Sequence, residues 1–234
     1  MIKSFFNWSG GKDSAFALGE LLDRAEYSVE FLLTSLHLET QRVSMHGVPK
    51  PLIQAQSEAI GIPIHWMELP ESTDNRTYEF EMKKMLTSAM DSGIQYAVFG
   101  DIFLEDLRQY REQQLSKMNM KAVFPIWKRP TEQIIRQFID KGYKSIVTAV
   151  DASKLSKDFV GQIFDDYFIK QLPDNVDVCG ENGEFHSYVF DAPYFKEPIA
   201  FVKDQIILKT YTNADKSLSS KFWFCSILPT TQTP

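Results

Sequence analysis

The hexapeptide Ser-Gly-Gly-Lys-Asp-Ser near the N-terminus combines residue types that bind phosphate. Its members are Ser9, Gly10, Gly11, Lys12, Asp13 and Ser14. Glycines let the backbone approach an anion closely, and the free amides at the start of a helix point toward that anion. A lysine adds a mobile positive charge, and serine hydroxyls can donate hydrogen bonds. The pattern predicts a phosphate-binding turn between the first strand and the first helix, against the alternative of an ordinary glycine turn with exposed charges.

Asp13 is the unusual member of this turn, because a carboxylate repels phosphate. It fits if it orients the loop, caps the helix or binds a magnesium ion that bridges phosphates. Neither common nucleotide fingerprint matches the turn. The pattern Gly-x-x-x-x-Gly-Lys-Ser/Thr needs a longer loop, and Gly-x-Gly-x-x-Gly needs other glycine spacing. The turn therefore predicts a different kind of phosphate loop, with Mg²⁺ at Asp13 as one option.

Further polar residues follow the ends of two other predicted strands. Gly100 and Asp101 end the apolar run QYAVFGDI, and Ser35 lies near the end of EFLLTSLHL. In a doubly wound sheet, ligands lie beyond the carboxyl ends of the strands, where the strand order reverses. Asp101 is therefore predicted to face a ligand crevice, with capping of the next helix as the alternative. Ser35 is predicted to lie where an adenine would bind.

Two arginines follow on the next predicted helix. Arg108 and Arg111 are about one turn apart, so both can lie on one helix face and clamp an anion. Pairing of these arginines with Glu105 or Glu112 at the surface is the alternative.

The segment RVSMHGVP predicts a loop that can cover a nucleotide or a second substrate. Its His46 and Gly47 are the candidate substrate residues. Loop mobility alone would also explain the glycine.

The elements that must position these residues alternate along the first part of the chain. Strand-like runs are IKSFFNW, EFLLTSLHL, PIHWMEL, QYAVFG, MKAVFPI and YKSIVTAV, with helix-like segments between them. This alternation predicts an α/β fold with a doubly wound parallel sheet over about residues 1–150. The remaining residues, 151–234, predict a smaller C-terminal α+β domain with mostly antiparallel strands.

Composition narrows the class of protein. The 234 residues are 44% hydrophobic, enough for a large core, and the net charge of −6 disfavours nucleic acid as a partner. Cys179 and Cys225 form no Cys-x-x-Cys pair, and the N-terminus has no signal-type segment, so we expect a cytoplasmic protein. No run of about 18 apolar residues occurs, so no membrane span is predicted.

The hexapeptide SGGKDS resembles the pyrophosphate loop, or PP-loop, of the N-type ATP pyrophosphatases, which split ATP between the α and β phosphates. Together with RVSMHGVP, VFGDI, RQYRE and CGENGEFHSYV, it makes nearly the whole chain resemble the diphthine ammonia ligase family and its bacterial relatives. The resemblance implies a HUP-like parallel sheet of the five-stranded type, with ATP and Mg²⁺ as cofactors. It also implies a ligase that adenylates a carboxylate and aminates it with ammonia. The acceptor would be carried by the translocating elongation factor or be a small molecule.

The segment GENGEFH has two interpretations. Its local pattern alone favours a solvated hairpin tip. The resemblance implies instead an acceptor site that closes over the phosphate loop, where a carboxylate can take a proton from ammonia or hold ammonium. Glu184 is the expected base, His186 the reserve base, and Glu181 is expected to be structural. The catalytic residues implied are therefore Lys12, Asp101 and Glu184, and the substrate residues are His46, Gly47, Arg108, Arg111, Glu181, Glu184 and His186.

Two other functions stay open at this point. One is a tRNA-modifying adenylating enzyme of the same superfamily, which the net charge and the missing dithiol disfavour. The other is a protein that senses ATP without turnover. A zinc site at Cys179, Glu181, Glu184 and His186 is disfavoured, because the spacing matches no closed structural site. The oligomeric state is open and includes a homo-oligomer.

Overall fold

The computed structural model describes residues 1–43, 46–70, 73–212 and 219–230, so Ser44 and Met45 of the segment RVSMHGVP lie outside the described residues. The strands are β1 (Ile2–Asn7), β2 (Tyr27–His37), β3 (Arg42–Val43), β4 (Ile64–Leu69), β5 (Tyr96–Val98), β6 (Lys121–Val123), β7 (Lys144–Asp151), β8 (Phe185–Asp191), β9 (Phe201–Thr212) and β10 (Ser219–Pro229). The helices are α1 (Lys12–Arg24), α2 (Lys50–Ile60), α3 (Asn75–Asp91), α4 (Glu105–Ser116), α5 (Thr131–Asp140) and α6 (Asp166–Gln171), and one turn of 3₁₀ helix spans Lys157–Phe159.

Five parallel strands form the first sheet. β1 pairs in parallel with β2 and β5, β2 pairs with β4, and β5 pairs with β6, while β3 lies antiparallel to the end of β2. The parallel order is therefore β4-β2-β1-β5-β6. The chain builds outward from β1 to β4 and then returns to β5 on the other side of β1. The strand order thus reverses between β1 and β5, and this is the point where such sheets bind ligands.

The burial of β1 on both faces fits its central position in the sheet, between β2 and β5. Three successive residues in the middle of β1, Ser4, Phe5 and Phe6, are buried, and Phe5 and Phe6 lie on opposite faces of the sheet. Phe6 packs in the core between the two sheets, whereas Phe5 packs in a separate cluster with residues such as Phe31 and Leu115. A strand covered on both faces needs apolar residues at successive positions.

The second sheet is antiparallel, in the order β8-β7-β10-β9. The run YKSIVTAV was predicted as a strand of the parallel sheet, but as β7 it pairs with β8 and β10 instead. The predicted division of the chain at residue 150 stays a prediction. The α/β class itself is confirmed, with a doubly wound sheet of five parallel strands and a further sheet that follows it.

The second sheet packs against the start of α1. The amide of Val189 in β8 donates to the carbonyl of Gly10 at 2.9 Å, and the amide of Lys12 donates to Ser187 Oγ at 3.1 Å. Side chains of both sheets belong to one continuous hydrophobic cluster. The hexapeptide at the end of β1 therefore lies between the two sheets.

Candidate functional site

A cavity of about 740 Å³ lies at the switch point between β1 and β5. The ends of β1, β2 and β5, the start of α1 and the turn before β8 all contribute to its walls. The sequence-predicted residues that line it are Ser9, Lys12, Asp13, Ser14, Ser35, His46, Gly100, Asp101, Arg111, Glu181 and His186. The predicted residues outside the lining are Gly10, Gly11, Gly47, Arg108 and Glu184.

Glycines permit the close packing around the phosphate loop. Gly10 has φ +78°, and a Cβ there would lie 2.5 Å from Ile53 Cδ1 and 2.7 Å from Gln56 Oε1. A Cβ on Gly100 would lie 2.9 Å from Ser14 Cα, because the end of β5 runs directly against the first turn of α1. A backbone neighbour cannot move aside as a flexible side chain can. Gly100 is therefore required for packing, in addition to its predicted place beside the ligand.

Lys12 is almost fully buried, with 3% of its surface exposed, and its ammonium group is paired with the carboxylate that follows it in sequence. Its Nζ lies 2.9 and 2.8 Å from the two carboxylate oxygens of Asp13. Burial lowers the pKa of Lys12, but the charges of Asp13 and Glu181 outweigh burial and raise it. The lysine therefore keeps its positive charge at the cavity wall.

Hydroxyl groups hold the rest of the loop. Ser9 Oγ lies 3.0 Å from Ser14 Oγ and accepts a hydrogen bond from the amide of Gly11 at 3.2 Å. Ser14 Oγ also lies 2.9 Å from the carbonyl of Gly11 and donates to it. The hydroxyl groups and amides of the loop are thus held in place by their own hydrogen bonds.

Asp101 and Arg111 form an ion pair at the cavity wall. Arg111 Nε lies 3.0 Å from Asp101 Oδ2, and its guanidinium stacks 4.2 Å from the centroid of the Phe99 ring. Burial raises the pKa of Asp101, and the charge of Arg111 opposes this effect. Residue Leu104, and not Asp101, occupies the N-cap position of α4. The structure thus places Asp101 toward the cavity and not at the helix cap.

The two predicted clamp arginines separate. Arg108 Nε lies 2.8 Å from Glu112 Oε1, and its guanidinium stacks on the rings of Phe124 and Trp127 at 5.1 and 4.7 Å. Arg108 is not among the residues that line the cavity, whereas Arg111 is. Arg108 thus pairs with Glu112, which is the alternative to an anion clamp.

The carboxylates of the GENGEFH segment also separate. Glu184 has no exposed surface and accepts hydrogen bonds from the amide and the side chain of Asn182 at 2.9 and 3.0 Å. Its Oε1 lies 3.5 Å from Lys154 Nζ. Burial raises the pKa of Glu184, but the hydrogen bonds from Asn182 and the charge of Lys154 outweigh it and lower the pKa. The structure thus places Glu184 as an anchor of the turn before β8, outside the cavity.

Glu181 is the carboxylate of this turn that lines the cavity. Burial and the charge of Asp13 raise the pKa of Glu181 to about 8, while Lys12 opposes the shift. The turn owes its shape to Gly180 and Gly183, whose φ angles of +69° and +78° lie in the left-handed region. The turn thus carries one fully buried carboxylate, Glu184, and one that lines the cavity, Glu181.

The cavity carboxylates fit Mg²⁺ only in company with a substrate. Asp13, Asp101 and Glu181 supply the oxygen ligands that Mg²⁺ prefers. Among the described residues, however, no three His, Cys, Asp or Glu side chains come close enough to hold a metal alone. Mg²⁺ is commonly bound by one or two carboxylates plus substrate phosphates. The donor set fits an ion carried by a nucleotide, and Asp13 as its ligand stays a prediction.

Two histidines pack together beside the phosphate loop. The ring centroids of His46 and His186 are 4.7 Å apart, and His46 Nδ1 lies 3.3 Å from the carbonyl of Ser187. Gly47, with φ +67°, accepts a hydrogen bond from Arg42 at 2.6 Å. His46 thus packs beside the phosphate loop, and a role of His46 and Gly47 in covering a nucleotide or a second substrate stays a prediction.

Gln56 organises this site although the sequence analysis assigned it no role. Its Nε2 donates to the carbonyls of Gly10 at 3.0 Å and Val189 at 2.6 Å, and its Oε1 accepts from Trp8 Nε1 at 2.8 Å. The side chain is fully buried and joins α2, the phosphate loop and β8. The available signal was a polar residue on the apolar face of α2, next to the buried Leu52 and Ile53.

We expect Gln56→Leu to lower the free energy of unfolding by about 2–4 kcal/mol, because it leaves buried partners without hydrogen bonds. Urea unfolding measures this change. As a control, Gln54→Leu on the exposed face of the same helix removes only a bond to Glu58 and should cost under about 0.5 kcal/mol. If both variants lost the same free energy of unfolding, the hydrogen bonds of Gln56 would contribute no more to stability than a bond on the surface of the helix.

Neither cysteine has the surroundings of a reactive thiol. Cys179 and Cys225 are buried and free, and burial raises the pKa of both thiols. Over the part of the chain that the structure describes, no helix is long and apolar enough to cross a bilayer.

The fold and site define an α/β protein whose predicted phosphate loop lies at the switch point of its parallel sheet. The family model described as Diphthamide synthase N-terminal domain matches residues 2–122, and the Diphthamide synthase C-terminal domain matches residues 130–218. The chain therefore belongs to the diphthamide synthase family.

Curated relatives agree with this assignment. The diphthine–ammonia ligase of Schizosaccharomyces pombe is 22% identical over 85% of this chain and 36% of the relative, and that of Homo sapiens is 27% identical over 45% and 42%. The Mus musculus ligase is 22% identical over 86% of this chain and 83% of the relative. The chain thus spans well under two thirds of the length of the fission yeast and human relatives.

A solved structure gives a weaker likeness. The U34-tRNA thiolase NcsA from Methanococcus maripaludis, with its 4Fe–4S cluster, matches with a TM-score of 0.36 and 19% identity, over 59% of this chain and 55% of that chain. A likeness of this extent carries no argument about function.

Proposed function

We propose that this protein is an ATP-dependent ligase that activates a carboxylate as an acyl adenylate and converts it to an amide with ammonia. The observation that carries the proposal is one shared cavity. The phosphate-binding loop, the Asp101–Arg111 pair and Glu181 of the turn before β8 all face it. The name diphthine–ammonia ligase, borne by each curated relative described above, supports diphthine as the acceptor and ammonia as the nucleophile.

In the proposed first step, ATP lies across the switch point. The β and γ phosphates lie against the loop, where Lys12 and the start of α1 stabilise negative charge. The adenine lies near Ser35, Leu33 and Met67, which line the cavity from the ends of β2 and β4. Asp13 or Asp101 would hold Mg²⁺ together with the phosphates, and the ion would supply positive charge beside the leaving pyrophosphate.

The acceptor is proposed to enter beside Arg111. A smaller cavity of about 330 Å³ lies between α3 and α4 and shares Tyr78, Met82, Phe99, Leu107 and Arg111 with the larger one. A carboxylate oxygen of the acceptor attacks the α phosphorus. The bond from this phosphorus to the bridging oxygen breaks, pyrophosphate leaves, and the acyl adenylate remains.

In the second step, ammonia attacks the carbonyl carbon of the acyl adenylate, and the carbon–oxygen bond to AMP breaks. The sequence pointed to Glu184 as the carboxylate that assists the attack of ammonia. We propose Glu181 for this role instead, because Glu181 lines the cavity and Glu184 does not. Glu181 would hold the incoming ammonium by its charge or take a proton from it.

The test is a product analysis with Mg²⁺, ATP, ammonium and an elongation factor that carries diphthine. We expect AMP, pyrophosphate and the amide in equal amounts, and no AMP when ammonium or the acceptor is withheld over many turnovers. ADP as the product would overturn the proposal. AMP formation that depends on added tRNA would support the tRNA-modifying alternative, and ATP binding without any turnover would support an ATP sensor.

A further inference from the structure

The histidine pair beside the phosphate loop has a feature that packing does not explain. His186 Nε2 is buried, and no atom of the described residues forms a hydrogen bond with it. A buried polar atom without a partner costs about 1–3 kcal/mol, so most such atoms are paired in folded proteins. Because His186 also lines the cavity, a ligand is the natural partner for this nitrogen.

The neighbours of His186 keep its ring fixed and uncharged. His46 packs against it at 4.7 Å between centroids and is itself held by the carbonyl of Ser187. Burial, His46 and Lys12 lower the pKa of His186 well below its usual value, and burial lowers the pKa of His46. The imidazoles are therefore neutral near pH 7, and a neutral imidazole can accept a proton.

Charged groups of both signs line the same cavity as the pair. Lys12 and Asp13 form an ion pair at the first turn of α1, and Asp101 and Glu181 add two further carboxyl groups. His46 and His186 line this cavity together with the apolar side chains of Phe185 and Val43. An uncharged imidazole there adds no attraction for phosphate, but it suits a small neutral nucleophile.

We propose that His186 is the base that takes the proton from the attacking ammonia, and that His46, His186 and Glu181 together form the ammonia subsite. This inference rests on the proposed function. When the nitrogen of ammonia bonds to the carbonyl carbon, the nitrogen becomes positively charged. One of its protons passes to His186 Nε2, the electron pair of the breaking carbon–oxygen bond leaves with AMP, and the amide is released.

The activity test compares two nucleophiles. Hydroxylamine is a stronger nucleophile that is uncharged at neutral pH, so its attack on an acyl adenylate depends far less on a base. With Mg²⁺, ATP and a diphthine-bearing elongation factor, we expect His186→Gln to lower ammonium-dependent amide formation by at least about 100-fold. Hydroxamate formation with hydroxylamine should stay within about threefold of the parent protein. Equal losses with both nucleophiles, or no loss with either, would overturn the assignment.

A binding test separates failure of this inference from failure of the proposed function. Imidazole nitrogen NMR of the parent protein follows His186 and His46 while ammonium chloride or potassium chloride is added. Potassium is a cation of similar size that donates no hydrogen bond. We expect ammonium, and not potassium, to shift the His186 signals, and Glu181→Gln to weaken this response. Identical responses to both salts would overturn the subsite even if the protein makes AMP. A selective ammonium response would support the subsite even if diphthine proves not to be the acceptor.

Discussion

Lys12→Ala is expected to lower kcat/KM for AMP formation by about 30- to 1,000-fold, which corresponds to about 2–4 kcal/mol of transition-state stabilisation. Lys12 is the buried cation of the phosphate loop, and its charge is held at the cavity wall by Asp13. Its ammonium would stabilise the charge that develops on pyrophosphate as the α phosphorus is attacked. The measurement is steady-state kinetics of acceptor-dependent AMP and pyrophosphate release.

A second variant separates the lysine from its partner. Lys12→Ala leaves the carboxylate of Asp13 without its 2.8 Å ion pair, and this loss alone could slow turnover by repelling phosphate. In the double variant Lys12→Ala with Asp13→Asn, that repulsion is absent. We expect the double variant to regain stability and to stay slow. Recovery of activity in the double variant, or unchanged turnover in Lys12→Ala, would contradict a direct role of the lysine.

Glu181→Gln and Glu184→Gln are expected to change stability in opposite directions, although the two residues lie in the same turn. The pKa of Glu181 is raised in the folded protein, so the unfolded protein ionises this carboxyl group more easily than the folded protein does. The contribution of Glu181 to the free energy of unfolding therefore becomes less favourable as pH rises from about 4.5 to about 8. Glutamine removes this cost. We expect Glu181→Gln to be more stable than the parent protein by about 1–2 kcal/mol at pH 8, and the difference to vanish near pH 4.

For Glu184 the sign is reversed. Its lowered pKa means that the ionised carboxylate stabilises the fold above its unfolded pKa, and this contribution is lost as pH falls through the folded value. Glutamine places an amide donor where Asn182 and Lys154 also donate. We expect Glu184→Gln to lose about 2–4 kcal/mol at pH 7, with a smaller loss in acid.

The same two variants should also differ in amide formation. If Glu181 holds ammonium, Glu181→Gln should retain ATP affinity and lose amide formation by about 100-fold or more. In Glu184→Gln, amide formation by the folded fraction should stay close to that of the parent protein at low temperature. Urea unfolding at pH 5 and pH 8 and amide analysis by mass spectrometry make the two measurements. If both variants changed stability and amide formation in the same way, Glu184 would not be the structural residue and Glu181 the chemical residue of this turn.

Several features of this site follow from local sequence. A strand that runs directly into two glycines, a lysine and hydroxyl residues predicts an anion-binding turn at a helix start. Because β-type and α-type segments alternate, the sheet had to be parallel and its ligand site had to lie at the carboxyl ends of the strands. Ser35, Gly100 and Asp101 could be placed at one cavity for that reason alone.

Other features depend on contacts between residues far apart in sequence. The apolar run of β7 suits either sheet, and only its pairing with β8 and β10 decides its place. Arg108 and Arg111 are nearly equivalent on α4, but Phe124 and Trp127 bind one guanidinium while Asp101 pairs with the other. Local periodicity carries no information about such partners.

Local order of residues was enough to predict the phosphate loop, the parallel sheet and the acid at the switch point, because each depends on residues within one strand, turn and helix. Long-range packing, in contrast, sets which acid of the turn before β8 faces the cavity. Lys154 and Asn182 hold the buried Glu184, while Glu181 of the same turn lines the cavity. It likewise decided the pairing of His46 with His186 and the junction at Gln56. The histidine pair and the Gln56 junction each join segments more than 40 residues apart, and these segments meet only once both sheets have packed.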